Sequence, residues 1–243
     1  MTLIEHLLAS ADEFGDSEIS FFDGQVTTAT TVSAVHTRAV KVAAALQERG
    51  IGPGDVVAVQ LPNRFETAVA YQAVLLTGAT LLPIVHIYGP REVEFVLHES
   101  GARMLVMQDA WRGIDYAGRI PGLVRPGLEI VLLGAPTAGT TPWSSLKGDR
   151  PRALLEAAPH YVPPKLDSTD IAILSYTSGT TSSPKGAQHS GAGMLAEVTS
   201  QVGMIGYGTK AVQLASFPFG HIAGLLSLLR PLLLGTPTVV MDG

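Results

Sequence analysis

The alternation of short apolar runs with helical periods confines this chain to an α/β fold. Val56–Leu61, Leu81–Val85, Met104–Met107 and Ile130–Leu133 are apolar stretches short enough for buried strands. Between them the spacing changes. From Thr31, the apolar residues Val35, Ala39, Val42 and Leu46 fall on one helical face, and Gly50 is placed as the C′ stop. Gly52-Pro53-Gly54-Asp55 then turns the chain into the first run. A second helix is expected from about Arg64 to Thr77. A third starts at Pro90, turns Val93, Val96 and Leu97 inward and ends at Gly101. This order predicts an α/β protein with mainly parallel open sheets flanked by helices. Near the start, Glu18–Phe22 and Gln25–Thr28 flank Asp23-Gly24, a two-residue hairpin signal.

Residues 134–168 are rich in Pro, Gly, Thr and Ser and read as a connecting region, with one short helix near Arg152–Ala158. Residues 1–168 are therefore expected to form a first α/β subdomain with its connecting region, and 169–243 to begin a second. In the second part a helix is expected around Met194–Gln201. Strand Val212–Phe217, helix Ile222–Leu234 and strand Thr238–Met241 follow.

Composition excludes several classes. Of the 243 residues 46% are hydrophobic and 15% charged, with a formal net charge of −5. No run of Lys or Arg offers a surface to nucleic acid or to anionic lipid. Without cysteine there is no disulfide or thiolate site, and the seven histidines lack zinc spacing, so no metal site is expected. The N-terminus carries Glu5 and lacks a basic lead, unlike a signal peptide, which points to a cytoplasmic protein. Ala68–Tyr88 contains no charged residue, but Gly78 and Pro83 interrupt it, so a buried helix and strand explain it better than a membrane span.

The stretch Ile171–Gly186 reads IAILSYTSGTTSSPKG, a buried-strand pattern emptying into hydroxyls, Gly179, Gly186 and Lys185. Phosphate oxygens require that combination: close backbone approach, hydroxyl donors and a cation. A polar surface turn would explain the hydroxyls alone. The strand exit and the closing Pro-Lys-Gly favour phosphate binding. It is not a Walker loop, since no Gly-Lys-Ser/Thr ends it. Tyr176–Gly186 resembles the signature loop of the adenylate-forming superfamily, of pattern Y-T-S-G-T-T-G-x-P-K-G, with Ser182 where glycine is usual. The resemblance implies that Thr177, Ser178, Gly179, Thr180, Thr181 and Lys185 bind ATP, and that Lys185 stabilises the phosphates catalytically.

A second group follows a strand: Ser216-Phe217-Pro218-Phe219-Gly220-His221-Ile222-Ala223-Gly224. Taken alone, His221 reads as a hydrogen-bonded helix-start histidine. The segment is similar to the superfamily's P-L-F-H-x-x-G motif, which implies an acyl pocket lined by Gly220, His221 and Gly224. Gly220 stands where an aromatic residue is usual, so space is expected beside His221. Ser190 fits the Ser/Thr position after the loop, and His189 reads as a surface or supporting residue. Gly50–Val59 with Leu61-Pro62-Asn63 also resembles the family, and reads as structural punctuation. Tyr71, Tyr88 and Trp111 read as packing residues.

The resemblance implies the N-terminal part of an acid–CoA ligase that forms an acyl-adenylate, with ATP, Mg²⁺ and CoA and a fatty or aromatic carboxylic acid as substrate. The superfamily's adenine-, magnesium- and ribose-binding segments and its catalytic lysine fall beyond Gly243. The 243 residues alone are thus expected to be inactive without the C-terminal part of the ligase, and to leave exposed edges for self-association. Loading of a carrier protein, or a non-catalytic nucleotide- or acyl-binding module, are the alternative functions.

Overall fold

Val57–Gln60, Leu81–Pro83 and Met104–Gln108 are buried in full, and the architecture follows from covering both faces of these strands. A computed structural model describes residues 1–146, 161–177, 184–205 and 211–242. The first elements are α1 (Leu3–Glu13), β1 (Glu18–Phe22), β2 (Thr27–Thr31), α2 (Val32–Glu48), β3 (Val56–Gln60), α3 (Phe65–Thr77) and β4 (Thr80–Pro83). Next come α4 (Pro90–Ser100), β5 (Met104–Gln108), the short β6 (Ala110–Trp111) and β7 (Ile114–Asp115), α5 (Ile120–Leu123), β8 (Glu129–Leu133) and β9 (Thr141–Pro142). The last are β10 (Ile171–Thr177), β11 (Lys185–Ser190), α6 (Gly191–Ile205), β12 (Gln213–Ala215), α7 (Ile222–Leu234) and β13 (Thr238–Met241).

One sheet has the order β11-β10-β4-β3-β5-β8-β9 and is parallel except for the β10–β11 pair. A second has the order β12-β13-β1-β2, with only β2 antiparallel. Alternate residues of the central strands serve opposite faces. Val57 and Val59 join α1, α2, α3, α6, α7 and the second sheet in one core, while Ala58 and Leu82 face α4 and α5. Both sheets draw strands from either side of residue 168: β10 pairs with β4, and β13 with β1.

Helix ends follow local chemistry. Thr31 caps α2 by accepting from the Ala34 amide at 3.2 Å, and Gly101 takes a φ of 64° at the end of α4. The expected helix Ile222–Leu234 and strand Thr238–Met241 are found at those bounds. Residues 67–77 of α3 are all buried, which accounts for the charge-free stretch. No described helix is long and apolar enough to cross a membrane.

Three expectations are corrected. The first hairpin closes through four residues, not two: Asp23 Oδ1 accepts from the Gln25 and Val26 amides at 2.9 and 2.8 Å, which shifts β2 to Thr27–Thr31. The N-terminal residues, given no element from the sequence, form α1 behind a capping box of Thr2 and Glu5. Lys185 does not sit within a loop but opens β11, a strand absent from the sequence reading. The helix expected near 152–158 lies outside the described residues.

Candidate functional site

The carboxyl ends of parallel strands leave backbone groups and loops facing one crevice, the usual ligand position in open α/β sheets. Here β10 and β11 form an antiparallel hairpin at that edge, with Thr177 paired to Lys185 across its mouth. Thr177 and Lys185 thus flank the connection that carries Ser178, Gly179, Thr180 and Thr181, and those four lie outside the described residues. Lys185 is exposed, with its ammonium in solvent reach.

The root of the hairpin is fixed by side chains. Ser175 is buried and its Oγ lies 3.0 Å from His189 Nε2, a tie between the two strands. Gly186 leaves the space in which the Tyr176 ring crosses β11, since a Cβ there would come within 3.1 Å of Tyr176 Cζ. Burial, with Glu99 as a lesser cause, pushes the Tyr176 phenol up to about 12, so it stays protonated at neutral pH. Ser190 Oγ accepts from the Gly193 amide at 3.1 Å and caps α6.

The second group sits between β12 and α7. His221 is the N-cap residue of α7, and its Nδ1 accepts from the Ala223 amide at 3.2 Å. That contact assigns Nδ1 as the unprotonated nitrogen of the neutral ring and leaves Nε2–H free to donate. The ring stacks on Phe217 at 6.4 Å and 27°, and both residues are exposed. Gly220 does not leave space beside His221. A Cβ there would strike the Val85 amide nitrogen and the Ile84 carbonyl group, so this glycine exists for close approach of two backbones. Gly224 serves the same end, since its Cβ would meet the Pro218 carbonyl.

Among the described residues no hydrogen bond joins Thr177 or Lys185 to the His221 turn; the two groups share only the sheet frame. Asn63, read from the sequence as punctuation, instead bonds directly to that turn, donating to the Phe217 carbonyl at 2.9 Å and accepting from the Phe219 amide at 2.7 Å. An asparagine just past the carboxyl end of a buried strand was the available signal. A cleft of about 480 Å³ opens beside it, lined in part by Phe22, Arg64, Phe65, Trp111 and Asp242. Arg64 lies over one side of the Trp111 ring, 5.6 Å from its centroid, and Arg112 pairs with Asp242 at 2.9 Å. Burial raises the Asp242 carboxyl above its ordinary range, and Arg112 opposes that shift. The described residues hold no grouping of three or more His, Cys, Asp or Glu that could bind a metal ion.

An open, largely parallel sheet with a glycine-, hydroxyl- and lysine-bearing connection at its carboxyl edge is the framework of an α/β nucleotide-binding protein. Comparison makes the class specific: residues 8–243 match the model of the AMP-binding enzyme family, and the chain belongs to that family. It is 29% identical over 226 residues to acetyl-coenzyme A synthetase 2 of Candida glabrata, covering 84% of this chain and 32% of that protein. It is 31% identical over 214 residues to sulfoacetate–CoA ligase of Cupriavidus necator, covering 87% of this chain and 40% of that one. Acetoacetyl-CoA synthetase from Streptomyces lividans shares the fold, with a TM-score of 0.85 and 24% identity over 100% of this chain and 38% of its own. The chain thus spans less than half the length of these relatives.

Proposed function

We propose that the chain supplies the ATP-phosphate and acyl-facing part of an AMP-forming acid–CoA ligase. The observation that carries this reading is the pairing of Lys185 with Thr177 at the mouth of the family loop, on the carboxyl edge of the sheet. In the proposed reaction a carboxylate oxygen bonds to the α-phosphorus of ATP, the bond from that phosphorus to the bridging oxygen breaks, and pyrophosphate leaves. The CoA sulfur then attacks the acyl carbon and AMP departs. Lys185, Thr177, Ser178, Thr180 and Thr181, with the Gly179 backbone, would hold the β- and γ-phosphates as charge builds on the leaving group. His221 Nε2–H, with the backbone around Gly220 and Gly224, would line the acyl side. Mg²⁺ would arrive with ATP and offset phosphate charge. A carboxylate nucleophile is ionised at neutral pH, so no general base is required of His221.

Carboxylate-dependent exchange of pyrophosphate into ATP tests this reading. The protein at its full natural length is expected to exchange with at least one fatty, aromatic or short acid, and the 243 residues alone to remain at background. No exchange with any acid at full length, despite ATP binding, would favour a non-catalytic module. Transfer of the acyl group to a carrier protein and not to CoA would reassign the acceptor.

ATP and CoA as co-substrates go with a cytoplasmic location. Self-association is proposed through β12, an edge strand among the described residues, whose Leu214 is 63% exposed and is preceded by Val212 at 65%. Sedimentation of the 243-residue chain is expected to show concentration-dependent association that Leu214→Lys weakens. Equal behaviour of the two proteins would exclude β12 as the contact.

A further inference from the structure

Three segments remote in sequence meet at one buried amide. Asn63 lies just past β3, at the carboxyl edge of the seven-stranded sheet, and is only 4% exposed. Its Nδ2 donates to the Phe217 carbonyl at 2.9 Å and to the Met241 carbonyl at 3.0 Å. Its Oδ1 accepts from the Phe219 amide at 2.7 Å. The partners fix the amide's orientation, because a flipped side chain would set its NH₂ against the Phe219 N–H and its oxygen against two carbonyls. The turn that presents Asn63 is itself held, with Thr67 Oγ1 donating to the Pro62 carbonyl at 2.5 Å.

On the other side, the Phe217–His221 turn is anchored by the Phe219 ring, which is fully buried in the main core. The His221 amide donates to the Pro218 carbonyl at 2.9 Å, and the Gly220 backbone lies against Ile84 and Val85. None of these contacts, the buried Phe219 ring included, engages the Phe217 carbonyl and the Phe219 amide themselves. Asn63 fixes both, and its third bond ties them to the last residue of β13. The seven-stranded sheet thus sets where the turn and its stacked Phe217–His221 pair stand.

We propose that Asn63 is a positioning residue: it locks the Phe217–His221 turn to the seven-stranded sheet and thereby sets the acid selectivity of the site. The second half of this statement rests on the reading of that turn as part of the acyl site. Water cannot easily replace three bonds made by a buried amide, so removal should loosen the turn more than the sheet.

The test has two arms. Amide hydrogen exchange of the 243-residue chain needs no substrate. In Asn63→Ala the Phe219 amide is expected to exchange about 10- to 100-fold faster, while the amides of Val57, Ala58 and Val59 change far less. Where Asn63→Ala does not fold, Asn63→Asp serves, since it keeps an acceptor for the Phe219 amide while losing both donations. Equal acceleration throughout, or none at Phe219, would overturn the lock. The second arm compares kcat/KM for a short and a long carboxylic acid in the protein at full natural length. The ratio is expected to move about tenfold while the KM for ATP holds. A ratio unchanged in a folded variant with a loosened turn would overturn the role in selectivity. Absence of acid activation in the unmodified protein would instead defeat the ligase reading and leave amide exchange to decide the lock.

Discussion

Lys185→Ala lowers the rate of adenylate formation by roughly 10²–10³ in the full-length protein and leaves folding almost unchanged. The two halves of this expectation have separate grounds. Lys185 is exposed at the first residue of β11, and its pairing with Thr177 is made by backbone groups that alanine retains. Its ammonium is the only Lys or Arg charge in Ile171–Gly186, so no neighbour in that segment replaces it as negative charge grows on departing pyrophosphate. Single-turnover formation of acyl-adenylate, beside a thermal unfolding curve, separates the two effects. Unaltered turnover would reduce the hairpin mouth to ordinary surface. A large fall in unfolding temperature would make Lys185 structural.

Gly220→Phe costs folding rather than retuning acid choice. The sequence suggested a gap where the family carries an aromatic residue, but the Cβ direction of Gly220 points into the backbone of Ile84 and Val85. Overpacked side chains cost about 1–3 kcal/mol when neighbours can yield, and a backbone obstacle yields less. Even Gly220→Ala is therefore expected to be destabilised, and Gly224→Ala likewise against the Pro218 carbonyl. Denaturant midpoints measure both. Native stability in Gly220→Ala would mean that the turn can step away from residues 84–85, which would also weaken the case for a fixed acyl wall.

These two positions show how far the sequence can be read. Elements with strong local period and clear stops, such as α7 between His221 and Gly235 or α4 between Pro90 and Gly101, were visible because their signals are local. The strand β11 was not. Its residues Lys185-Gly186-Ala187-Gln188-His189-Ser190 have little β propensity, and they form a strand because β10 offers an edge to pair with. α1 is a different case: its Thr2/Glu5 capping box is a start signal, but the helix it opens is fixed by packing of Leu3, Ile4 and Leu7 into the core. The candidate phosphate residues could be named because one contiguous loop holds them. Asn63 stands between: its place just past a buried strand is a local signal, but its partners, 154 to 178 residues along the chain, are not legible from any local pattern. So does Gly220, its identity legible from the motif and its surroundings only from the packing.

Nuclear magnetic resonance titration of the isotopically labelled 243-residue chain with Mg–ATP probes the central claim most directly, because it locates the phosphates without requiring turnover. The account predicts that amide shifts concentrate in 177–186, that the Lys185 side chain responds, and that Lys185→Ala weakens binding with the fold retained. Shifts centred elsewhere, or a titration indifferent to Lys185→Ala, would contradict it.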